Sequence, residues 1–135
     1  MNKLLSHSSW ECKYHVVFIP KYRKKVLYGQ LKNYVGDILK MLARQKECEI
    51  LEGHICNDHI HMLISIPPKY SVSQVIGYIK GKSAIYIARN FTGCKMNFGG
   101  HKFWARGYFV STTGRDENII RNYIKNQEKE DKRED

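Results

Sequence analysis

The order of hydrophobic patterns predicts one α+β domain over residues 1–135, with a ferredoxin-like, RRM-like βαββαβ fold and one further C-terminal helix. Alternating polarity, or β-branched and aromatic residues, predict four strands at about 10–19, 48–56, 59–66 and 102–111. Apolar residues spaced by three and four predict three helices at about 29–46, 72–90 and 116–130. In this fold the sheet is antiparallel, and both internal helices cover one of its faces.

The first strand is rich in aromatic and β-branched residues, and Pro20 ends it. A basic cluster with one aromatic inside it, Lys21–Lys25, follows. Such a segment suits phosphate contacts and base stacking, and it equally suits a solvated turn. The first helix is amphipathic, with apolar residues at helical spacing from Leu31 to Leu42.

Asn57 and Asp58 predict a tight hairpin turn between the second and third strands. The strict alternation that follows is typical of a half-buried strand. Its core face carries Ile60, Met62, Ile64 and Ile66. The opposite face, with His59, His61, Leu63 and Ser65, is left for a partner, a ligand or the third helix.

Proline, glycine and helix-capping residues predict the remaining boundaries of the strands and helices. Pro67 and Pro68 end the third strand, and Ser71 is a suitable N-cap for the second helix. Gly114 gives a flexible joint after the fourth strand, and Asp116 or a neighbour caps the third helix. The charged tail, about 128–135, should fray.

The net charge of +10 comes from 23 Lys and Arg against 13 Asp and Glu. It favours a polyanionic partner, most simply nucleic acid, and it also serves solubility alone. No stretch approaches the roughly 18–20 apolar residues of a membrane span, so we expect a cytoplasmic protein with no membrane partner. Disulfide or metal-finger spacing is missing, so we expect reduced thiols, several of them buried, at Cys12, Cys48, Cys56 and Cys94.

His59 and His61 are the most informative pair. Side chains two apart on a strand share a face, so the two imidazoles can bind one metal ion. The same pair can be ordinary exposed polar residues. Cys56 and His54 could instead complete a structural zinc site with it, although no second CxxC or CxxH spacing favours that arrangement.

The third helix carries Tyr123 and Gln127, which are four residues apart and therefore share a helix face. An apolar stripe runs along this helix, and a tyrosine in such a stripe is ordinarily part of a core.

Five blocks in this order resemble a known family: Tyr14–Arg23, Asp58–His61, Lys80–Ser83, Trp104–Thr112 and Tyr123–Gln127. The chain resembles the TnpA-type single-tyrosine HUH (His-hydrophobic-His) transposases, the insertion-sequence 200/605 family. The resemblance covers nearly the whole chain, and it departs from the family pattern at no motif position.

The resemblance implies metal-dependent cleavage and rejoining of single-stranded DNA at insertion-sequence ends. His59, His61 and Gln127 are the implied ligands of a Mg²⁺ or Mn²⁺ ion. Tyr123 is the implied nucleophile, which leaves a 5′-phosphotyrosine and a free 3′-OH. Asp58 could orient one imidazole from behind, or it could simply lead the hairpin turn.

The family's substrate is single-stranded DNA with subterminal hairpins. The resemblance also implies a homodimer in which the tyrosine helix of one chain completes the site of the other, and no nucleotide cofactor. The candidate DNA-binding residues are Lys21, Tyr22, Arg23, Lys24, Lys80, Lys82 and Arg106, with Lys102 and Arg115 as weaker ones.

Three other functions remain open at this point. A domesticated relative, acting on repeated palindromes of its host genome, would carry the same residues. A βαββαβ domain with a basic face could bind single-stranded nucleic acid without chemistry. A metal-dependent nuclease would use water in place of the tyrosine.

Overall fold

The structure is a computed structural model that describes residues 3–5, 8–91, 103–113 and 117–134, with side chains described for 10–91, 103–113 and 118–129. Several features predicted above lie outside these residues: the Gly114 joint, the Asp116 cap, Cys94, and the weaker DNA-binding candidates Lys102 and Arg115.

Antiparallel pairing joins four strands into one sheet, in the spatial order β4-β5-β3-β6. The elements of the described residues are β1 (Lys3–Leu5), β2 (Ser8–Trp10), β3 (Lys13–Phe18), α1 (Gly29–Gln45), β4 (Glu49–Ile55), β5 (Ile60–Ser65), α2 (Val72–Asn90), β6 (Phe109–Thr112) and α3 (Glu117–Glu134). A short 3-10 turn, Lys21–Arg23, follows β3. With α1 and α2 as the two crossovers, this is the predicted α+β arrangement, and the predicted fold class is confirmed.

The core lies between one face of the sheet and the two internal helices. Val16 and Phe18 of β3 and Ile60, Met62 and Ile64 of β5 are buried there in one cluster with apolar residues of α1 and α2. The Ser71 cap is confirmed, since its hydroxyl accepts from the Gln74 N–H at 3.1 Å and the Gln74 side chain accepts from the Ser71 N–H at 2.9 Å. The bounds of α1 and α2 agree with the helical periodicity of the sequence.

The second face of β5 departs from the sequence prediction. Every residue of β5 is buried, so the prediction of a half-buried strand is wrong. The cause is α3, which packs across β4 and β5 and buries Ile124 to 1 % exposure. The sequence left this face of β5 for a partner, a ligand or the third helix, and the structure shows that the third helix covers it.

The N-terminal strand is also corrected. The segment predicted as one strand at about 10–19 is divided, because β2 ends at Trp10 and β3 begins at Lys13. β1 and β2 form a separate two-stranded hairpin that the sequence analysis did not predict. Residues 3–10 are too short and too mixed in polarity to show a clear period.

The predicted fourth strand, about 102–111, is strand only at Phe109–Thr112. Gly107 has a φ of 78°, which interrupts an extended run. The ammonium of Lys80 donates to the carbonyls of Ala105 at 2.8 Å and Gly107 at 2.6 Å, so these groups serve a loop and not a sheet ladder.

The aromatic residues of this loop are core residues. Phe103 and Trp104 are 1 % and 6 % exposed. The Trp104 ring meets the Phe18 ring edge-on at 4.8 Å, and its Nε1 donates to the Ser83 hydroxyl at 2.8 Å. Their aromatic character therefore reflects burial rather than strand structure.

The C-terminal helix runs further than predicted. Helix α3 continues to Glu134, where the sequence analysis predicted a frayed tail. Glu, Lys and Arg, which dominate this segment, are good helix formers. Within the described ranges, none of the helices combines the length and apolar character needed to cross a bilayer.

Candidate active site

The β4–β5 hairpin brings several potential metal ligands onto one face of the sheet. His54 pairs with His61 in the register of the two strands. The Cys56 N–H donates to the His59 carbonyl at 2.8 Å, so Cys56 lies opposite His59. Because side chains alternate between faces, these two cross-strand pairs share the face opposite the core.

The two predicted metal ligands converge. The Nε2 atoms of His59 and His61 lie 2.9 Å apart, and Nδ1 of His59 donates to the Asp58 carboxylate at 2.6 Å. A neutral His59 that donates from Nδ1 carries its lone pair on Nε2, the atom directed at His61. The Asp58 contact has the geometry expected of a carboxylate that orients a metal-binding imidazole.

The same carboxylate contacts the basic cluster that follows β3. Nε of Arg23 lies 3.1 Å from the second oxygen of Asp58. Burial acts to raise the pKa of Asp58, but the hydrogen bond from His59 and the charge of Arg23 outweigh it and hold the pKa below its ordinary value. Asp58 is therefore ionised at neutral pH and links Arg23 to His59.

Tyr123 lies at the rim of this site. Its ring centroid is 5.7 Å from that of His61, with the two planes at 72°. It is 49 % exposed, whereas the next residue, Ile124, is buried. The phenol is therefore open to solution, which a core tyrosine would not be, and a single chain brings it to the histidines.

Gln127 lies one turn beyond Tyr123 on the same face of α3 and is half-buried. Helix α3 packs on β4 and β5, the strands of the histidine hairpin. The role of Gln127 as a third metal ligand stays a prediction.

His15 is a site residue that the sequence analysis missed. Its ring stacks on that of His61 at 5.9 Å and 7°, and meets that of Tyr123 edge-on at 6.3 Å. Its Nε2 is buried and has no hydrogen-bond partner among the described residues, and burial lowers the pKa of the imidazole. A signal was present: alternation puts His15 on the opposite face from Val16 and Phe18.

The donors present fit a divalent cation. The ligand atoms of Cys56, His59 and His61 all lie within 4.8 Å of one another, and Cys56 is a reduced, buried thiol. Two imidazoles whose ring nitrogens point to the same position are common ligands of divalent metals. As a metal ligand, Cys56 appeared in the sequence analysis only in the zinc alternative.

Several DNA-binding candidates lie together at the His59 end of the sheet. Tyr22 is 79 % exposed. The φ angle is 61° at Tyr22 and 50° at Arg23, and both values lie in the left-handed region that bulky residues rarely adopt. The Lys21 N–H donates to the Phe103 carbonyl at 2.8 Å, which holds this turn against the loop that carries exposed Arg106.

The other three candidates have different surroundings. Lys24 is exposed, and Lys82 lies exposed on α2 with its ammonium 6.0 Å from the Tyr78 ring. Lys80 is half-buried, and burial lowers its pKa while its ammonium holds the 103–108 loop. Contact of these lysines with DNA stays a prediction.

A groove of about 490 Å³ reaches the site from the edge of the sheet. It runs between α1, the edge strand β4 and α3, and both His54 and His61 line it. Lys32 and Lys40 of α1 and Glu128 of α3 add charged groups to its walls.

The fold and the site define an α+β domain of the transposase type. Residues 8–127 match one family model, Transposase IS200 like. Because this match spans most of the chain, the protein belongs to the IS200-like transposase family, and the resemblance inferred from the sequence blocks is confirmed.

Relatives and solved structures agree with this assignment. The transposase for insertion sequence element IS200 of Salmonella typhimurium is 48 % identical over 130 residues, which cover 96 % of this chain and 86 % of the relative. The ISDra2 transposase TnpA of Deinococcus radiodurans is 28 % identical over 119 residues, or 87 % of this chain and 85 % of the relative.

Two solved structures share the fold. A crystal structure of a Deinococcus radiodurans protein described as a transposase superposes with a TM-score of 0.76 at 27 % identity, covering 94 % of this chain and 98 % of that one. A REP-associated tyrosine transposase bound to a REP hairpin gives a TM-score of 0.60 at 15 % identity, covering 92 % and 70 %.

Proposed function

We propose that this transposase cleaves and rejoins single-stranded DNA at the ends of an insertion sequence, with Tyr123 as the nucleophile. The observation that carries the proposal is the contact of the Tyr123 ring with His61, inside a chain of the IS200-like transposase family. A nucleophile that acts on a polymer must be reachable from solution, and the 49 % exposure of Tyr123 meets that condition.

The proposed step is a transesterification. The phenol oxygen of Tyr123 attacks the phosphorus of the scissile phosphodiester, and the bond from phosphorus to the 3′ oxygen breaks. The phenol proton passes to solvent, and the leaving 3′ oxygen takes up a proton. One ester replaces another, so a 3′-OH can later attack the 5′-phosphotyrosine and rejoin the strand without ATP.

The phenol needs help to react, since a free tyrosine has a pKa near 10. His59, His61 and Gln127 would hold Mg²⁺ or Mn²⁺, which polarises the scissile phosphate and neutralises developing charge when bound. The converging Nε2 atoms of the histidines support this assignment. Asp58 keeps the His59 ring in place and its Nε2 available.

The proposed DNA path follows the surface that carries Lys21, Tyr22, Arg23, Lys24 and Arg106. Cationic side chains would contact phosphates, and an exposed tyrosine offers a ring on which an unpaired base can stack. A solved protein of the same fold is bound to a REP hairpin, and we propose that the partner here is single-stranded DNA with hairpins near the element ends. Such a partner places the activity in the cytoplasm, at the nucleoid.

We further propose a homodimer. Phe109 and Val110 are 57 % and 38 % exposed on β6, which is an edge strand, and Ile119 of α3 is 68 % exposed. Large apolar side chains on an open sheet edge favour pairing with another copy. This surface adjoins the site, because the Phe109 ring contacts that of His15.

A covalent-adduct gel tests the central proposal. Purified protein is incubated with Mg²⁺ and a single-stranded oligonucleotide taken from the DNA that neighbours the gene. We expect a shifted, denaturation-resistant band in the wild type and none in Tyr123→Phe. Cleavage that persists in Tyr123→Phe would show a nuclease that uses water, and binding without an adduct across many sequences would show a binding module.

Mixed variants decide which chain supplies the tyrosine. Tyr123→Phe chains are mixed with His59→Ala chains, and adduct formation is measured. The arrangement in the single chain predicts no adduct, because each chain then lacks one part of its own site. Exchange of α3 between partners, as the resemblance implies, predicts one active site per dimer.

Flanking DNA separates a mobile element from a domesticated relative. Hairpins at both ends of a short element that contains the gene would favour the transposase of an active insertion sequence. Repeated palindromes scattered elsewhere in the genome, cleaved by the purified protein, would favour the domesticated alternative.

A further inference from the structure

A thiol meets the histidine pair from the neighbouring strand. We propose that Cys56, His59 and His61 form a binding site for a thiophilic divalent cation, Zn²⁺, and that its binding holds the transposase in a non-cleaving state. The metal site stands on its own geometry, while the inhibitory effect rests on the function proposed above.

The hairpin itself builds this site. The sulfur of Cys56 and the ring nitrogens of His59 and His61 lie within 4.8 Å of one another, and all three belong to the tip of one tight β-hairpin. Nitrogen and sulfur ligands at ordinary zinc distances are separated by about 3.3–3.6 Å in a tetrahedral site. Small side-chain rotations close the difference without moving either strand.

A fourth position is available on the same face. His54 pairs with His61 across the strands and is 7 % exposed. It lines the groove that reaches His61 from the β4 edge. A water molecule entering by this groove would complete a tetrahedral shell.

The donor types set the metal preference. A thiolate with two imidazoles offers soft and borderline donors and no oxygen. Mg²⁺ prefers six oxygen ligands, and Mn²⁺ stands at the weak end of the divalent series, whereas Zn²⁺ stands near its strong end. The thiol loses its proton to solvent as the zinc–sulfur bond forms, so the site favours zinc over the catalytic ions.

Zinc in this site would oppose the proposed chemistry. The two histidines are shared, so Zn²⁺ and the catalytic ion cannot be bound at once. Three protein ligands leave only one position of a tetrahedral zinc shell for a phosphate oxygen. A phosphate oxygen and the amide of Gln127 therefore cannot both bind the zinc ion.

Cobalt spectroscopy tests the site without any activity measurement. Co²⁺, which mimics zinc in protein sites, is added to the full-length metal-free protein, and the near-ultraviolet cobalt–thiolate band is followed. We expect the band in the wild type and in Cys12→Ser, a control that removes a half-buried thiol elsewhere. In Cys56→Ser we expect the band to vanish and the Co²⁺ affinity to fall by at least about ten-fold.

X-ray absorption of the zinc-loaded wild type needs no variant. We expect one sulfur at about 2.3 Å in the first shell of the metal. A shell of nitrogen and oxygen alone, or a cobalt–thiolate band that survives in Cys56→Ser, would overturn the proposed site even if that variant folds poorly.

Competition tests the inhibitory effect. Zn²⁺ is added to the Mg²⁺-supported adduct reaction, and each protein is compared with its own zinc-free level. We expect zinc to suppress the wild-type reaction, and at least about ten-fold more zinc to be needed in Cys56→Ser. Equal zinc sensitivity in both proteins would contradict the proposal.

The two proposals fail in different ways. If the cobalt–thiolate band is absent while Mg²⁺ still supports the tyrosine adduct, the zinc site is wrong and the proposed function stands. If the band is present but no condition yields an adduct, the zinc site stands and the proposed function is wrong.

Discussion

The two faces of strand β5 differ in what covers them. On one face, Ile60, Met62 and Ile64 pack into a continuous apolar core with α1 and α2, and none of the three is more than 2 % exposed. On the other face, His61 is buried beside a tyrosine that remains half open to solution. One strand thus carries the stabilising core and the candidate chemistry on neighbouring residues that point to opposite faces.

The difference shows how a covered face can still be a site. Helix α3 anchors itself through Ile124, which is 1 % exposed, yet leaves Tyr123 at 49 % and Ile119 at 68 %. The cover is therefore partial: enough to hold the phenol beside His61, and open enough to admit a substrate. Substitutions on the two faces should accordingly affect different measurements.

The largest effect is expected on the open face. Tyr123→Phe removes only the hydroxyl, and we expect adduct formation to fall by on the order of 10³-fold or more, because the proposed nucleophile is lost. Half exposure predicts little change in the free energy of unfolding, within about 0.5 kcal/mol. Adduct gels and urea titration measure the two quantities, and a fall in stability as large as that in activity would break the distinction between the faces.

The next effect lies on the apolar face. Ile64→Ala leaves a cavity in the core, and we expect the free energy of unfolding to fall by about 2–5 kcal/mol. Adduct formation per folded molecule should stay near the wild-type value. Tyr28→Ala, at a position that is 68 % exposed and outside the proposed dimer surface, is the control and should change stability by less than about 0.5 kcal/mol.

A smaller effect is expected at Asp58, whose carboxylate accepts a hydrogen bond from Nδ1 of His59. Asp58→Asn keeps the shape but loses the charge that holds the His59 Nδ1–H, so we expect about 10–100-fold more Mg²⁺ or Mn²⁺ to be needed for half-maximal adduct formation. The pKa of Asp58 lies below its ordinary value, so this contribution persists above the ordinary carboxyl pKa and is lost only as the pH falls through the lowered value.

The same substitution elsewhere gives the control for Asp58. Asp37→Asn changes an exposed carboxylate of α1, and it should leave the metal requirement within about two-fold of wild type. An equal metal requirement in Asp58→Asn and wild type would remove Asp58 from the proposed mechanism.

The smallest effect is expected far from the site. Ser71→Ala removes the hydroxyl that caps α2, and we expect the free energy of unfolding to fall by about 1 kcal/mol with no change in metal requirement. In Ser71→Gly the free energy of unfolding should fall by only a few tenths of a kcal/mol, since glycine leaves the cap backbone accessible to water. Thermal melts of the two variants measure the difference.

The sequence by itself determined most of the fold. Helices α1 and α2 and the β4–β5 hairpin follow from periodicity and from Ser71, Asn57 and Asp58, because these signals act over one or two turns of chain. The His59–His61 pair was equally visible, since residues two apart on a strand share a face whatever surrounds them. Five sequence blocks also indicated the family.

The tertiary structure decided which distant residues meet. His15 lies 46 positions before His61 in sequence, and their rings stack only because β3 is the hydrogen-bonded neighbour of β5. The burial of the histidine face depends on the packing of α3. Lys80 is a DNA-binding candidate in the sequence, and only the structure shows that its ammonium also holds the 103–108 loop.

One physical reason explains why the sequence alone did not predict these contacts. A period of two or of 3.6 residues reports which side of an element is apolar, but it carries no information on which element will cover that side. Coverage depends on strand order and on the free energy of burying surface between segments far apart in the chain. The sequence thus determined the strand that bears the histidines, and the packing of α3 and β3 against it decided which side chains join them.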